Sequence, residues 1–181
     1  FKISMCLFYK KISKIIPVSY TALDQIKMMT KKIPPVKVIF NGVDYNFFND
    51  NKSKQFNNGT PQLIFIGGLR RYKKIDELIN AMPKLLLKYP KANLQIIGDG
   101  PEFSKLSKII NEKKLHESVE LIGKQDKQQI SLRLSSADIY VSASRFETFA
   151  LPSLEAMASG LPVVLSEHPA HRELIERSNA G

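Results

Sequence analysis

Short apolar runs alternate along the chain with segments of helical periodicity. The apolar runs have the length of strands and are rich in valine, isoleucine and leucine; they cover residues 15–18, 36–40, 62–67, 93–98, 119–123, 138–143 and 162–166. The helical segments cover residues 22–29, 75–89, 102–114, 127–136, 152–159 and 170–177. Because the strands are apolar on both faces, the pattern predicts the α/β class, with a doubly wound, Rossmann-like parallel sheet covered by helices.

A stretch rich in turn residues follows the first two predicted strands. It shows little periodicity and contains Asn41, Gly42, Asn57, Asn58, Gly59 and Pro61. This composition predicts a connector. We therefore divide the chain into a leading piece at residues 1–35, a linker with the start of the second domain at 36–60, and a main α/β domain at 61–181. We expect the sequence to be a fragment of a longer chain, because it starts at Phe1 rather than at a methionine and stops abruptly at Gly181.

The composition is that of a globular protein. With 181 residues, of which 43% are hydrophobic, the chain can bury about 70% of the surface that its unfolded form exposes. Its single cysteine, Cys6, excludes an internal disulfide, and no cysteine and histidine cluster has the spacing of a zinc site. No apolar run approaches the length of about 18 residues that spans a bilayer. These features favour a cytoplasmic protein.

The formal net charge of +10 is concentrated at the amino end. The first forty residues contain one acidic residue, Asp24, and eight lysines: Lys2, Lys10, Lys11, Lys14, Lys27, Lys31, Lys32 and Lys37. A solvated lysine-rich face explains this excess, and so does an anionic membrane surface, which would place the protein peripherally on the inner face of the plasma membrane. Nucleic acid is disfavoured, because the sequence lacks the patterns of nucleic-acid-binding modules.

Glycines follow three of the predicted strands at the places where ligands bind to open parallel sheets. In such sheets the binding crevice lies at the carboxyl ends of the strands. The loops there begin with Gly67 and Gly68, with Gly98, and with Gly123. None of them contains the dinucleotide fingerprint or the P-loop pattern. A redox dinucleotide and an ATP P-loop are therefore disfavoured.

Charged side chains in the same loops favour a nucleotide sugar instead. Lys73 or Lys74, flanked by Arg70 and Arg71, offers positive charge to a diphosphate, and the backbone N–H groups at the start of a helix after Phe149 attract the same group. Glu147 precedes that helix, and we place Glu155 in its first turn, where a carboxylate can accept hydrogen bonds from ribose hydroxyls. Each feature alone also has a plain structural explanation, as a solvated loop, a complement to the helix dipole or a helix start signal.

The order of these features resembles the carboxyl-terminal domain of the retaining, GT-B-fold glycosyltransferases called glycosyl transferases group 1. The similar segments read IFNGVDYNFF, FIGGLRRYKKIDELINA, LQIIGDGP, VELIGK, ADIYVSASRFETFALPSLEAMASGLPVV and HRELI. The family's two glutamates, separated by seven residues, fall on Glu147 and Glu155. The resemblance implies the carboxyl-terminal half of a GT-B fold, preceded at residues 1–35 by a remnant of the amino-terminal acceptor domain. Because the acceptor site belongs to that domain in the family, inactivity of the fragment alone is one expectation.

Taken residue by residue, the resemblance implies a binding site for a nucleotide-sugar donor. Lys73 matches the lysine that meets the donor diphosphate, and Glu155 matches the glutamate that holds the ribose. Glu147 matches the glutamate beside the donor sugar, which we assign as catalytic, either as a nucleophile or through positioning the sugar. The other donor-binding assignments are Gly67, Gly68, Arg70, Gly98, the nucleobase loop with Gly123, Lys124 and Gln125, and the backbone of Phe149, Ala150 and Leu151.

Four positions depart from the family pattern. Gly68 stands where the family has an arginine, and Lys74 stands where it has a glycine. Thr148 and Ala150 replace the two glycines of the usual E-G-F-G. These two residues add bulk beside the donor sugar, which matters if the loop needs positive φ angles.

The implied function is the transfer of a hexose from a UDP- or GDP-linked donor to a cell-surface glycan or a lipid-linked acceptor, with retention of configuration and without a metal or other cofactor. Two alternatives remain open. The first is a nucleotide-sugar-binding module or partner subunit that has no activity of its own, and the second is a GT-B-like epimerase, whose pattern of carboxylates and histidines is not visible here. His168 and His171 follow the last predicted strand, and we expect both at the surface.

Overall fold

The computed structural model describes residues 12–30, 32–49 and 60–178. The predictions made for Cys6, for Lys2, Lys10, Lys11 and Lys31, and for the connector at 50–59 lie outside the described residues. Two compact units divide the chain. The sheet unit comprises the described residues of 43–146 together with 152–166, and the terminal unit comprises those of 1–42 and 167–181 together with 147–151.

The sheet unit contains a five-stranded parallel sheet in the order β3-β2-β1-β4-β5. The strands are β1 (Gln62–Ile66), β2 (Asn93–Ile97), β3 (Val119–Gly123), β4 (Ile139–Ser142) and β5 (Val163–Leu165). In the pairing of β1, Leu63 lies opposite Leu94 of β2 and Ile139 of β4. The predicted parallel α/β fold is confirmed, because five of the seven apolar runs form strands of one sheet.

Helices occupy the segments that showed helical periodicity. They are α1 (Tyr20–Met29), α2 (Tyr45–Asn49), α3 (Ile75–Lys88), α4 (Phe103–Glu112), α5 (Lys127–Ser136), α6 (Leu151–Ala158) and α7 (Pro169–Ser178). A short 3-10 turn, Arg71–Lys73, precedes α3. Helix α2 was not predicted, because its five residues lie in the turn-rich connector and are too few to show a helical period.

Apolar side chains on the two faces of the sheet form two separate core layers. Phe65 belongs to one layer with Ile79 of α3 and Leu106 of α4. Its neighbours in β1, Ile64 and Ile66, belong to the other layer. This alternation follows from the strand geometry, in which successive side chains point to opposite faces. Because both faces are covered, the strands read as continuous apolar runs.

The terminal unit contains α1, α7 and a short parallel ladder in place of the first two predicted strands. The ladder has a single bridge, Ile15 to Val36, and the N–H of Ile39 also donates to the carbonyl of Pro17 at 3.0 Å. Prolines at positions 17, 34 and 35 remove the donors that a longer ladder would need. The prediction of full strands at 15–18 and 36–40 was therefore wrong.

Candidate functional site

The chain reverses its direction of travel across the sheet between β1 and β4, which are neighbours. From β1 it proceeds through β2 to β3, and it then crosses back to β4 and β5 on the other side. In open α/β sheets, ligands bind at the carboxyl ends of the strands where the order reverses in this way. The loops after β1 and β4 are therefore the expected position of a binding site.

These two loops contact each other within the sheet unit. The N–H of Arg145 donates to the carbonyl of Tyr72 at 2.8 Å, and the Arg145 side chain pairs with Glu77 of α3 at 3.0 Å. The rings of Tyr72 and Phe146 meet edge to face, with centroids 5.8 Å apart. The sequence did not predict these contacts, because they join residues about 70 positions apart and no local pattern marks them.

Lys73 ends the 3-10 turn in the loop after β1 and is half-buried. Its Nζ lies 5.7 Å from the centroid of the Tyr72 ring. A Cβ atom added to Gly67 would lie 4.0 Å from Lys73 Cε, so this side chain passes over the backbone at the end of β1. Arg70 and Gly68, in the same loop, are exposed. The loop after the central strand therefore contains two arginines, Arg70 and Arg71, and two lysines, of which Lys73 lies over the end of β1.

Lys74 has a left-handed backbone, with φ 53° and ψ 38°. It is the C-cap of the 3-10 turn and the N-cap of α3, and its Nζ lies 3.3 Å from Glu77 Oε1. The family has a glycine at this position, and glycine is the residue that adopts this conformation without steric cost. The departure noted in the sequence therefore falls on a position that requires a left-handed residue.

Gly98 follows β2, where the backbones of two loops come into direct contact. A Cβ atom at Gly98 would lie 1.9 Å from the carbonyl oxygen of Gly67, and its φ is 137°. The N–H of Gly67 donates to Ile97 at 3.0 Å, and the N–H of Gly98 donates to Gly123 at 2.9 Å. Packing between the loops after β1, β2 and β3 thus requires a glycine here, independently of any ligand.

The loop after β3 is open above its glycine. Gly123 has φ 81°, and nothing lies within 4 Å of the position that a Cβ atom would take. Lys124 is exposed, and Gln125 is half-buried and donates to the carbonyl of Lys124 at 3.1 Å. Asp126 and Gln129 then form a capping box that starts α5. The predicted nucleobase loop is therefore a short, defined turn between a strand and a capped helix.

Glu155 lies on α6 and is half-buried. Burial raises the pKa of its carboxyl above the ordinary value of 4.5, and the positive charge of Lys127 on α5 partly offsets this effect. The prediction that Glu155 lies in the first turn was wrong, because α6 begins at Leu151 and Glu155 is its fifth residue. Its charge is thus not explained as a complement to the helix dipole, which acts mainly within the first turn.

We expect the substitution Glu155→Gln to raise the Tm of the ligand-free protein at pH 7. The pKa of Glu155 is higher in the folded state than in the unfolded state. Its contribution to the free energy of unfolding is therefore complete below the pKa of the unfolded state, and it is lost as the pH rises through the pKa of the folded state. At pH 7 the buried charge therefore opposes folding, and glutamine removes it. Thermal unfolding at several pH values measures the difference in Tm, which should shrink as the pH falls through the folded pKa and should be absent below about 4.5. The exposed residue Glu117 supplies the control, Glu117→Gln, and an equal or lower Tm for Glu155→Gln at pH 7 would contradict the argument.

The other predicted site residues, Glu147, Phe149, Ala150 and Leu151, lie in the terminal unit. Glu147 and Phe149 are half-buried, Ala150 is buried and Leu151 is exposed. Ala150 has φ 63°, a left-handed conformation. It stands where the family pattern has a glycine, so the loop does need a positive φ at this position and the alanine adopts it at a steric cost.

Two histidines accompany Glu147 in the terminal unit. The rings of His168 and His171 meet edge to face, with centroids 5.9 Å apart. Burial lowers the pKa of His168 below 6.5 and His171 lowers it further, whereas the negative charge of Glu147 raises it. The N–H of Ala170 donates to His168 Nδ1 at 3.2 Å, which places the ring proton of the neutral imidazole on Nε2.

The prediction that both histidines lie at the surface was wrong for His171. This side chain is only 2% exposed, and His168 is half-buried. The reason is that α7 begins at Pro169, so His171 lies one helical turn before Leu174 and shares its buried face.

The structure therefore distributes the predicted site residues between the two units. The sheet unit holds the predicted diphosphate, ribose and nucleobase groups: Gly67, Gly68, Arg70, Lys73, Gly98, Gly123, Lys124, Gln125 and Glu155. The terminal unit holds the predicted catalytic group Glu147 and the loop that follows it.

Within the described residues, no cluster of three or more histidine, cysteine, aspartate or glutamate side chains is arranged to hold a metal ion. In the same part of the chain, no helix has the length and apolar character needed to cross a membrane.

Comparison with known proteins identifies the family. The model of the family described as "Glycosyl transferases group 1" matches residues 46–181, which is more than half of the chain. The chain therefore belongs to the glycosyl transferases group 1 family, as the sequence motifs indicated.

The chain is also similar to individual curated proteins and, in its fold, to solved structures. The chain is 25% identical over 170 residues to N-acetyl-alpha-D-glucosaminyl L-malate synthase of Bacillus anthracis, covering 91% of this chain and 44% of the relative. Its structure is similar, with a TM-score of 0.81 at 22% identity, to that of the Anabaena protein HepE in complex with UDP and glucose, covering 96% of this chain and 49% of the other. A pneumococcal O-GlcNAc transferase in complex with UDP and GlcNAc gives a TM-score of 0.75 at 25% identity, with 88% and 31% covered. The chain thus spans about half of the first two proteins and less of the third.

Proposed function

We propose that the protein transfers a hexose from a UDP- or GDP-linked donor to an acceptor hydroxyl, with retention of the anomeric configuration. The observation that carries the proposal is the presence of two charged side chains on segments of the sheet unit that follow β1 and β4. This set combines Lys73 beside the backbone of β1 with the half-buried carboxylate of Glu155 on α6. It occurs in a chain of the glycosyl transferases group 1 family.

The sheet unit offers separate groups for each part of a nucleoside diphosphate. Lys73, with Arg70 nearby in the same loop, supplies positive charge for the diphosphate. Glu155 can accept hydrogen bonds from the two ribose hydroxyls. These hydrogen bonds would stabilise the charged form of its carboxylate, which burial destabilises in the ligand-free protein. The open turn at Gly123 leaves space for a flat base beside Lys124 and Gln125. A UDP complex of the pneumococcal O-GlcNAc transferase supports UDP as one of the nucleotides to test.

Glu147 is the group that we propose for the sugar end of the donor. In the transfer, the bond between the anomeric carbon and the diphosphate oxygen breaks, and a bond from that carbon to the acceptor oxygen forms. The acceptor proton leaves with the nucleoside diphosphate. A carboxylate beside the anomeric carbon stabilises the positive charge that develops there, whether it attacks the carbon or only faces it. Glu147 has the chemistry for this role.

The acceptor is a proposal from the family resemblance alone. We propose a glycan or a lipid-linked acceptor, and a peripheral position at an anionic membrane remains a prediction for the lysine-rich amino end. The Bacillus anthracis relative is named an N-acetyl-alpha-D-glucosaminyl L-malate synthase, so membership of the family does not by itself define the acceptor. We also propose that no metal or other cofactor takes part, because Lys73 and Arg70 supply positive charge for the diphosphate.

We expect the full chain to consume one of three donors in the presence of EDTA: UDP-glucose, UDP-N-acetylglucosamine or GDP-mannose. NMR spectroscopy of the products, with a panel of glycan and lipid acceptors and with water as the default acceptor, measures both the rate and the anomeric configuration. An inverted product would contradict retention, and activity restored only by magnesium would contradict the metal-free mechanism. Binding of UDP or GDP without any transfer would favour the alternative of a binding module, and no binding at all would overturn the proposal.

A further inference from the structure

Helix α1 holds the loop that carries Glu147 through two consecutive backbone carbonyls. Gln25 Nε2 donates to the carbonyl of Glu147 at 3.2 Å, and Ser19 Oγ donates to the carbonyl of Thr148. Ser19 is the N-cap of α1 and Gln25 lies in the middle of the helix, and both residues are more than 120 positions from the loop in sequence. Two adjacent anchors from one rigid element restrict the orientation of a peptide far more than a single one would.

The amino-terminal end of α1 is itself firmly held. Ser19 is its N-cap and accepts from the N–H of Ala22 at 2.8 Å, in addition to its bond to Thr148. The carboxylate of Glu173, on α7, accepts from the N–H groups of Tyr20 and Thr21 at 2.8 and 2.9 Å and from Thr21 Oγ1 at 2.8 Å. Ser19 is 2% exposed. The anchor for the loop is therefore a capped helix end that a charge-assisted network fixes to α7.

The loop needs such an anchor because its backbone is strained. Ala150, three residues after Glu147, has φ 63°. A non-glycine residue in this region costs about 1–3 kcal/mol, and the conformation persists only where the surrounding structure enforces it. If the two hydrogen bonds from α1 were lost, the backbone at Ala150 would shift to a conformation of lower energy. That shift would move Glu147.

We propose that Gln25 and Ser19 are positioning residues, which set the orientation of Glu147 for the transfer step through the carbonyls of Glu147 and Thr148. The inference rests on the proposed function for its consequence in catalysis, but the restraint itself is a property of the ligand-free protein. Gln25 is the better residue to test, because Ser19 also caps α1 and its replacement would destabilise the helix.

Gln25→Met keeps the length of the side chain and removes its donor. We expect kcat for donor turnover, measured on the full chain with UDP-glucose or whichever donor proves active, to fall about fivefold to tenfold, while KM for the donor and Kd for UDP stay within about twofold. The reciprocal variant Met28→Gln is the control, because Met28 is on the same helix and is 83% exposed. An unchanged kcat, or a loss that appears equally in the affinity for UDP, would overturn the proposal.

Gln25→Glu distinguishes positioning from general stability. Near pH 8 the introduced carboxylate repels the carbonyl oxygen of Glu147, whereas its protonated form can donate to that oxygen. We expect the ratio of its kcat to that of the unsubstituted protein to rise as the pH falls toward about 5. Glu147, Glu173 and His168 are present in both proteins, so the ratio of the two kcat values reports the group introduced at position 25. A ratio that does not change with pH would contradict the assigned contact.

Amide hydrogen exchange tests the restraint without any enzymatic activity. In Gln25→Met, the amides of Thr148, Phe149 and Ala150 should exchange at least about threefold faster, while those of β1 and β2 stay unchanged. If the unsubstituted protein transfers no sugar but this local change appears, the proposed function fails and the positioning contact stands. If transfer is observed but exchange and kcat are unaffected in the variant, the positioning role fails and the proposed function stands.

Discussion

Glu147→Gln is expected to lower the rate of sugar transfer by about 100-fold to 1,000-fold while leaving the affinity for UDP within about twofold of its original value. The substitution removes the negative charge and keeps the shape of the side chain. Its backbone carbonyl can still accept from Gln25. Because the positive charge on the anomeric carbon develops only in the transition state, the loss should fall on kcat rather than on nucleotide binding. Steady-state rates with the active donor measure kcat, and calorimetric titration with UDP measures the affinity for the nucleotide.

Two outcomes would count against this role of Glu147. A rate that remains within about threefold of the original would show that the carboxylate does not face the developing charge. A loss of UDP affinity as large as the loss of rate would show that Glu147 contributes to ground-state binding of the nucleotide. Glu117→Gln is a suitable control, because it makes the same change at an exposed carboxylate that precedes β3 and has no assigned role in the candidate site.

Gly98→Ala is expected to destabilise the protein by about 2–6 kcal/mol. The new Cβ atom would meet the carbonyl oxygen of Gly67 at 1.9 Å, at a φ of 137° that residues with a side chain rarely adopt. The backbone strain and the forced separation of the loops after β1 and β2 both contribute to the loss, at about 1–3 kcal/mol each. Denaturant unfolding of the full chain, monitored by circular dichroism, measures the difference in the free energy of unfolding.

Gly160→Ala supplies the matched control for this effect. Gly160 has φ 73°, and nothing lies within 4 Å of its added Cβ atom. Its substitution should cost only the left-handed conformation, about 1–2 kcal/mol. If both variants lost the same free energy of unfolding, the contact between Gly98 and Gly67 would not be the cause.

The parallel sheet could be predicted from the sequence because its strands are buried on both faces. A continuous run such as QLIFI is then both a strand signal and a burial signal, and the intervening helices show their own period. The same reasoning predicted full strands at 15–18 and 36–40, and that prediction was wrong. They are equally apolar, but the prolines around them limit the ladder to a single bridge, which hydrophobicity alone does not reveal.

The site could be predicted only as far as its residues follow strand ends or family motifs. Gly98 was predicted to bind the donor, and its packing against Gly67 depends on how two loops meet in space. Lys74 and Ala150 stand where the family pattern has glycines, a difference that the sequence shows. Both residues have left-handed backbones in the structure. The bonds from Ser19 and Gln25 to the Glu147 loop had no signal in the sequence, because they depend on tertiary packing between distant segments.

The central claim is that the sheet unit binds a nucleoside diphosphate through Lys73 and Glu155. Calorimetric titration of the full chain with UDP and with GDP in EDTA, before and after Glu155→Gln, tests this claim most directly. Charge-assisted hydrogen bonds from the ribose hydroxyls to the carboxylate contribute about 1.5–3 kcal/mol, so the variant should bind the preferred nucleotide about 10-fold to 100-fold more weakly. Its fold should be intact, with a Tm at pH 7 no lower than that of the unsubstituted protein. Equal affinities in the two proteins, or no binding of either nucleotide to the unsubstituted chain, would contradict the claim.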